Sequence, residues 1–203
     1  MQPSVPLSIW ILIVLNSLIY FVPQIISIDF GGQTYLLYDL LVALGAKENT
    51  AILQGGEWYR LISSAFLHGS PLHLFMNMYA LYAVGPAVIS MFRTSGFWII
   101  YIFGAIAGSL GSLGITHYLG QNTLSVGASG AIFALIGASL VYFLVTKNRL
   151  LQREFLMIIG LNLIIGFVPG TNIDNWAHLG GLVGGIIIGS VLPKNRQQLI
   201  DEV

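Results

Sequence analysis

The chain has 203 residues, of which 56% are hydrophobic and 8% are charged, and its mean hydropathy is +0.82. Water-soluble domains usually contain about 25% charged residues, so this chain would expose far too much apolar surface in water, and the composition indicates a membrane protein. Eight Lys and Arg balance eight Asp and Glu and cysteine is absent, which argues against a nucleic-acid-binding surface and excludes disulfides, cysteine-ligated zinc and a thiol nucleophile.

Six apolar stretches are long enough to be membrane-spanning helices. In chain order they are residues 7–27, 72–92, 96–118, 126–145, 154–169 and 176–192. The first stretch lacks the basic flank and the small-residue cleavage site of a signal peptide, so we expect it to be retained as a span. Nothing in the sequence indicates a second, soluble domain, and residues 1–203 are expected to form one all-α membrane domain.

The positions of Lys and Arg predict the orientation of these helices. Two of them, Lys47 and Arg60, lie in the long loop after the first span. The other six follow the second, fourth and sixth spans: Arg93, Lys147, Arg149, Arg153, Lys194 and Arg196. The positive-inside rule therefore places both chain termini in the cytoplasm, and we expect a multi-pass protein of a bacterial plasma membrane.

The loop of residues 28–71 is too long to be a simple connection between two helices. Its segments 35–47 and 57–66 have the apolar spacing of short helices. Trp58 and Tyr59 are typical of the headgroup level of a bilayer, where a ring with one polar edge is favoured. We expect this loop to lie on, or partly in, the outer leaflet.

Four polar side chains are expected at a similar depth, near the outer ends of three spans. His73 and Asn77 share one face of the second span, while Ser129 begins the fourth span and His178 begins the sixth. Polar groups at membrane depth are costly and usually face a protein interior or a wet cavity. A histidine can take the proton of a serine hydroxyl, and Asn77 and His73 can donate hydrogen bonds to an oxyanion.

Glycines would allow the serine and the histidine to approach each other. Gly181 and Gly185 lie on the face of His178 and form a GxxxG surface, which permits close helix contact in lipid. Gly137 lies two turns after Ser129 on the same face of its helix. The fourth and sixth spans are therefore expected to touch.

Residues near Ser129 and His178 in the sequence also have expected roles. Gly127 and Gly130, on either side of the serine, would let a substrate backbone come close. Phe133, one turn after the serine, could pack against the imidazole. Asp174 could orient the histidine from four residues upstream, although a Ser–His dyad is the simpler arrangement. Two further histidines near the outer side, His68 and His117, are expected to be solvated or interfacial.

In several of its motifs the chain resembles the rhomboids, a family of intramembrane serine proteases. The residues that carry the resemblance are LGAK (44–47), GEWYRLISSAFLH (56–68), HLFMNMYAL (73–81), GASGAIFAL (127–135) and AHLGGLVGG (177–185). The resemblance implies that Ser129 is the nucleophile and His178 the base, and that His73, Asn77 and the Ser129 backbone N–H form the oxyanion site. It also implies a compact bundle of six transmembrane helices whose long first loop lies in the outer leaflet, with substrate entering past the fifth span.

The sequence therefore predicts an endopeptidase that cleaves the transmembrane helices of other membrane proteins. Its expected partners are those substrates and the lipid bilayer, without a cofactor, a metal or nucleic acid. Two other functions stay open, namely a non-catalytic protein of the same fold that binds membrane helices and a small transporter with a polar pocket. A transporter would need polar groups across both leaflets, whereas the histidines here all lie toward the outer side.

Overall fold

The computed structural model describes residues 5–29, 37–168, 170–171 and 173–195. Its helices are α1 (Leu7–Asp29), α2 (Leu37–Ala43), α3 (Asn49–Leu53), α4 (Arg60–Ser63), α5 (Pro71–Tyr118), α6 (Ser129–Val145), α7 (Arg149–Gly166) and α8 (Asn175–Val191). A 3-10 turn follows α4 at Ser64–Phe66. The fold is mostly helical, as predicted.

The structure also contains a short strand pair that the all-helical prediction missed. Strands β1 (Lys47–Glu48) and β2 (Leu124–Ser125) are antiparallel, with Lys47 opposite Ser125. Each strand has two residues, too few to show the alternation of apolar and polar residues by which a strand is recognised. The pair joins the first loop to the segment that leads into α6.

Helix α5 contains the second and third predicted spans in one continuous assignment. Its backbone breaks at Arg93, which has φ 62° and ψ 170°. A Cβ at Gly85 would lie 3.6 Å from the ring of Phe97, whereas twelve residues of straight helix would separate them by about 18 Å. The two halves of α5 therefore fold back against each other as two antiparallel helices.

The number of membrane spans stays a prediction. By length and composition, α5 is the one helix in the described part of the chain that could cross a membrane. Three shorter helical stretches are also apolar: Leu7–Pro23, Ser129–Val145 and Asn175–Val191. Helix α7 carries charged residues in its first turns. The termini used for the predicted orientation, including Arg196, lie outside the described residues.

Helix α6 lies at the centre of the molecule. Every residue from Gly130 to Ser139 is buried, as expected of a helix that is apolar all round. It packs against α5 on one side, where a Cβ at Gly104 would overlap that of Ala134. By contrast, Ile159 is the one buried residue among the residues of α7.

The described part of the first loop is compact. Leu41 of α2 is buried in a small cluster with Ala46. Arg60 of α4 is also buried, and it donates from Nη1 to the Ala46 carbonyl at 2.9 Å and pairs with Glu57 at 2.7 Å. The hydrogen bonds of this buried guanidinium hold separate segments of the loop together. The position of the loop relative to a bilayer stays a prediction.

Candidate active site

Ser129 is the first residue of α6. The chain enters the helix through Gly127, whose φ of +127° is open mainly to glycine. The Gly127 N–H donates to the Ser64 carbonyl at 2.9 Å, which fixes this entry to the 3-10 turn. Because a helix start has free backbone N–H groups and the positive end of the helix dipole, Ser129 lies beside donors suited to an oxyanion.

His178 lies in the first turn of α8 and Asp174 caps that helix. Asp174 Oδ1 accepts from the Ala177 N–H at 3.0 Å, and Oδ2 accepts from the Ser112 hydroxyl at 2.5 Å. Both carboxylate oxygens are thus engaged away from the imidazole. Among the described residues, His178 Nδ1 is buried without a hydrogen-bond partner, so the suggestion that Asp174 orients this ring is not supported.

Helices α6 and α8 touch through glycines next to these two residues. A Cβ at Gly181 would overlap the carbonyl of Gly130, and a Cβ at Gly185 would overlap the carbonyl of Ala134. From the other helix, a Cβ at Gly137 would overlap α8 backbone. Since no side chain separates them, the two backbones are in direct contact. Gly130 therefore contributes to helix packing, and its proposed part in admitting a substrate backbone stays a prediction.

The aromatic contact at this interface involves Phe133. Its ring stacks on the His178 imidazole, with centroids 4.2 Å apart and an angle of 11° between the planes. Phe133 lies one turn after Ser129, so this contact brings the imidazole to the face of α6 that carries the serine. In the described part of the chain no hydrogen bond joins the two side chains; such bonds are often long before substrate binds.

His73 and Asn77, in the first turns of α5, lie on the other side of the helix entry. A Cβ at Gly127 would lie 2.7 Å from His73 Nε2 and 3.7 Å from Asn77 Nδ2. Asn77 Nδ2 donates to the His73 carbonyl at 3.0 Å. The amide carries two N–H groups, so one remains for another acceptor. The segment before the serine is thus flanked by both side chains considered for the oxyanion site.

A cavity of about 20 Å³ lies beside Ser129. About 10–15 Å³ of such space is enough for one water molecule. Hydroxyl groups of Ser64, Ser109 and Ser125 belong to its lining residues, and those of Ser64 and Ser109 are 3.3 Å apart. The sequence offered only a weak signal for these serines, namely small hydroxyl residues within apolar segments.

The structure corrects the expectation for His68. Its side chain is 1% exposed and its ring centroid lies 5.1 Å from that of His73. Burial lowers the pKa of His68 to about 3, because a low dielectric disfavours the charged imidazolium. His68 is therefore uncharged at ordinary pH and packs against His73. His117 is exposed, in agreement with the sequence.

Comparison with known proteins identifies the family. The model of the rhomboid domain matches residues 55–195, a stretch that contains Ser129 and His178. Rhomboid protease GluP of Bacillus subtilis is 38% identical over 195 residues, which cover 94% of this chain and 36% of that protein.

Two relatives from Arabidopsis thaliana match about three quarters of this chain. RHOMBOID-like protein 6, mitochondrial, is 36% identical over 77% of this chain and 51% of its own length. RHOMBOID-like protein 5 is 39% identical over 73% of this chain and 48% of its own length. The chain thus spans between about a third and a half of the length of these three relatives. Since the domain match covers more than half of the chain, this protein belongs to the rhomboid family of intramembrane serine proteases.

Proposed function

We propose that this chain is an intramembrane serine endopeptidase in which Ser129 and His178 form a catalytic dyad. The observation that carries the proposal is the contact of α6 and α8 at the level where each helix bears one of these residues. There the Phe133 ring stacks on the imidazole, and Gly181 leaves room only for the Gly130 backbone. A nucleophile and its base need such an approach, whereas packing alone does not require a serine and a histidine.

The first half of the reaction forms an acyl-enzyme. Ser129 Oγ attacks the carbonyl carbon of the scissile peptide while His178 takes the hydroxyl proton. Asn77, His73 and the Ser129 backbone N–H donate to the oxyanion of the tetrahedral intermediate. The C–N bond then breaks, His178 gives its proton to the leaving amine, and the acyl group remains as an ester on Ser129.

The second half of the reaction needs water at membrane depth. The cavity beside Ser129 has room for about one water molecule and offers hydroxyl partners to it. This water attacks the ester carbonyl and gives a proton to His178. The C–O bond to Ser129 then breaks, the serine recovers its proton, and the new carboxylate leaves.

The proposed substrates are transmembrane helices of other membrane proteins. Residues 1–203 would form one domain of six spans with both termini in the cytoplasm, and the first loop would lie in the outer leaflet. The sparse burial on α7 supports entry of a substrate past this helix, as the family resemblance implies. Because a helix engages its carbonyls in hydrogen bonds, the substrate must unwind locally at the cut.

Labelling with a fluorophosphonate tests the proposal directly. The probe should attach to Ser129 among the fifteen serines of the chain, with the site mapped by mass spectrometry, and labelling should be lost in His178→Ala. Ser190→Ala, which changes an exposed serine on α8, is the matched control and should label normally. Purified protein should also cleave a model transmembrane substrate, and Ser129→Ala should abolish this cleavage.

Two results would contradict the proposal. A wild-type protein that neither labels at Ser129 nor cleaves, yet retains a transmembrane peptide, would be a non-catalytic helix-binding protein. Undiminished labelling of Ser129 in His178→Ala would remove the dyad, and His73 would then be the next base to examine.

A further inference from the structure

Lys47 is a buried cation close to the candidate site. Its side chain is 0% exposed, which is rare for lysine. In the strand pair it lies opposite Ser125, four residues before Ser129. Its Nζ donates to Thr123 Oγ1 at 2.9 Å and to Thr116 Oγ1 at 3.4 Å. The ammonium group therefore connects the first loop to α5 and to the segment that leads into α6.

The Thr116 hydroxyl has no hydrogen-bonding capacity left over. It donates to the Ser112 carbonyl at 2.6 Å and accepts from both Lys47 and Asn49 Nδ2, the latter at 2.9 Å. A hydroxyl has one proton to donate and two lone pairs. Asn49 Nδ2 also donates to the Gln121 carbonyl at 2.8 Å. Thr116 thus joins Lys47, Asn49 and Ser112 through hydrogen bonds that fix the relative positions of these groups.

Asp174 links this network to the helix that carries the histidine. Its Oδ2 accepts from the hydroxyl of Ser112, whose carbonyl binds Thr116, and its Oδ1 caps α8. Burial lowers the pKa of Lys47 to about 8, against the attraction of Asp174 and, more weakly, of Glu48, which both raise it. Helix α5 and the segment after it present uncharged hydroxyl groups to the ammonium.

We propose that Lys47 is a positioning residue of the candidate active site: its ammonium group holds the entry to Ser129 and, through Asp174, the start of the helix that carries His178. A hydrophobic side chain in a buried ionic position is often neutral or stabilising, so stability alone is a weak reason for a lysine here. The ammonium group instead fixes the distance between the segment before Ser129 and the start of α8. This inference rests on the proposed protease function for its catalytic consequence.

Turnover per labelled enzyme molecule distinguishes misplaced catalytic residues from a smaller fraction of folded protein. Lys47→Met should lower both kcat and the rate of labelling at Ser129 by about 10- to 100-fold, since a misplacement of about 1 Å can cost about 10²-fold, with little change in KM. Lys47→Arg keeps the charge and should restore part of the rate. Lys147→Met removes an exposed lysine and should behave as wild type. Equal kcat per active site in Lys47→Met would overturn the proposal.

A double-mutant cycle tests the route through Asp174. Asp174→Asn keeps an oxygen for the helix cap but removes the charge, and it should lower the labelling rate by itself. In that background Lys47→Met should cost less than it does in the wild type, because only its bond to the segment before Ser129 is left to lose and residues that act through one network are not additive. Fully additive losses would mean that Lys47 does not act through this carboxylate.

The direction in which the labelling rate changes with pH distinguishes a positioning lysine from one that only stabilises the fold. As pH rises through about 8, Lys47 loses its proton and no longer attracts Asp174, so the labelling rate should fall. Both Lys47→Arg, which stays charged, and Lys47→Met should lack this fall. Over the same interval the free energy of unfolding due to Lys47 should rise, because the unfolded lysine, with a pKa of about 10.4, binds more protons than the folded one. A rate that rises together with stability would contradict positioning.

A distance measurement keeps the inference distinct from the proposed function. The chain has no cysteine, so spin labels at Gln121→Cys and Ile173→Cys would report only the separation of the two held segments. Double electron–electron resonance should show a broader distribution in Lys47→Met and an unchanged one in Lys147→Met. If Lys47→Met broadens the distribution but the wild-type protein never labels at Ser129, the protease function is contradicted and the positioning role of Lys47 is supported. If the distribution is unchanged in Lys47→Met, the positioning role is contradicted even in an active protease.

Discussion

Asn77 carries two amide N–H groups. One donates to the His73 carbonyl a turn earlier in α5, and the second is available to charge that develops on a substrate carbonyl. Asn77→Ala should therefore lower kcat by about 10²–10³ and leave KM nearly unchanged, since an interaction made only in the transition state affects turnover. Steady-state cleavage of a model transmembrane substrate measures both constants.

An exposed asparagine offers the matched control for this change. Asn162 of α7 makes the same bond to a carbonyl one turn earlier, at 2.8 Å, so Asn162→Ala removes an equivalent amide from a helix that carries none of the four candidate site residues. Its kcat should equal that of the wild type. A raised KM with normal kcat in Asn77→Ala would instead make Asn77 a substrate contact.

At this scale the sequence could indicate candidate residues but not the surroundings of each side chain. Ser129, His178, Asn77 and His73 could be selected because few polar side chains occur within apolar segments. Lys47 gave no comparable signal, because its burial depends on Thr116, 69 positions away. The burial of a side chain depends on its neighbours in space, which a single sequence does not specify.

At the scale of helices, the glycine contact between α6 and α8 sets the geometry of the site. A side chain at Gly181 would collide with the Gly130 backbone, which cannot move aside as a flexible side chain would. Gly181→Leu should push the helices apart, cost about 1–3 kcal/mol of stability or more, and abolish labelling of Ser129. Gly114→Leu places the same side chain in open space and should retain labelling. Full activity of Gly181→Leu would mean that the α6–α8 contact does not align the dyad.

The helices were predictable where apolar runs are long. Helices α1, α6 and α8 begin near the predicted spans, because burial in lipid or in protein requires the same continuous apolar run. The break at Arg93 was expected only as a boundary between two spans. The strand pair at Lys47 and Ser125 joins residues 78 positions apart, a pairing for which neither segment contains a local pattern.

At the scale of the whole molecule, large apolar side chains face outward on most long helices. Examples are Leu18, Phe75, Phe103, Leu161 and Ile187. Such a surface would drive association in water and is suited to lipid. It also explains why composition identified a membrane protein at once, whereas the orientation in the membrane depends on a few charges at the helix ends.

The structure adds one constraint to that orientation. The Asn195 N–H donates to the Met91 carbonyl at 2.8 Å, so the residues after α8 lie at the same end of the molecule as the break at Arg93. The basic residues Arg93 and Lys194 therefore share one end, and Ser129 begins a helix that runs toward that end from the opposite side. By the positive-inside rule we expect the shared end to be cytoplasmic.

Cysteine accessibility measures this orientation, since the native chain has no cysteine. Gln121→Cys, in the exposed segment before α6, should react with an impermeant thiol reagent in intact cells. Arg149→Cys, at the exposed start of α7, should react only after the membrane is permeabilised, and its loss leaves five of the six basic residues that set the orientation. Labelling of both positions from outside would contradict the two-sided arrangement. The reverse pattern would place Ser129 toward the cytoplasm, and the substrates would then be cut near their cytoplasmic ends.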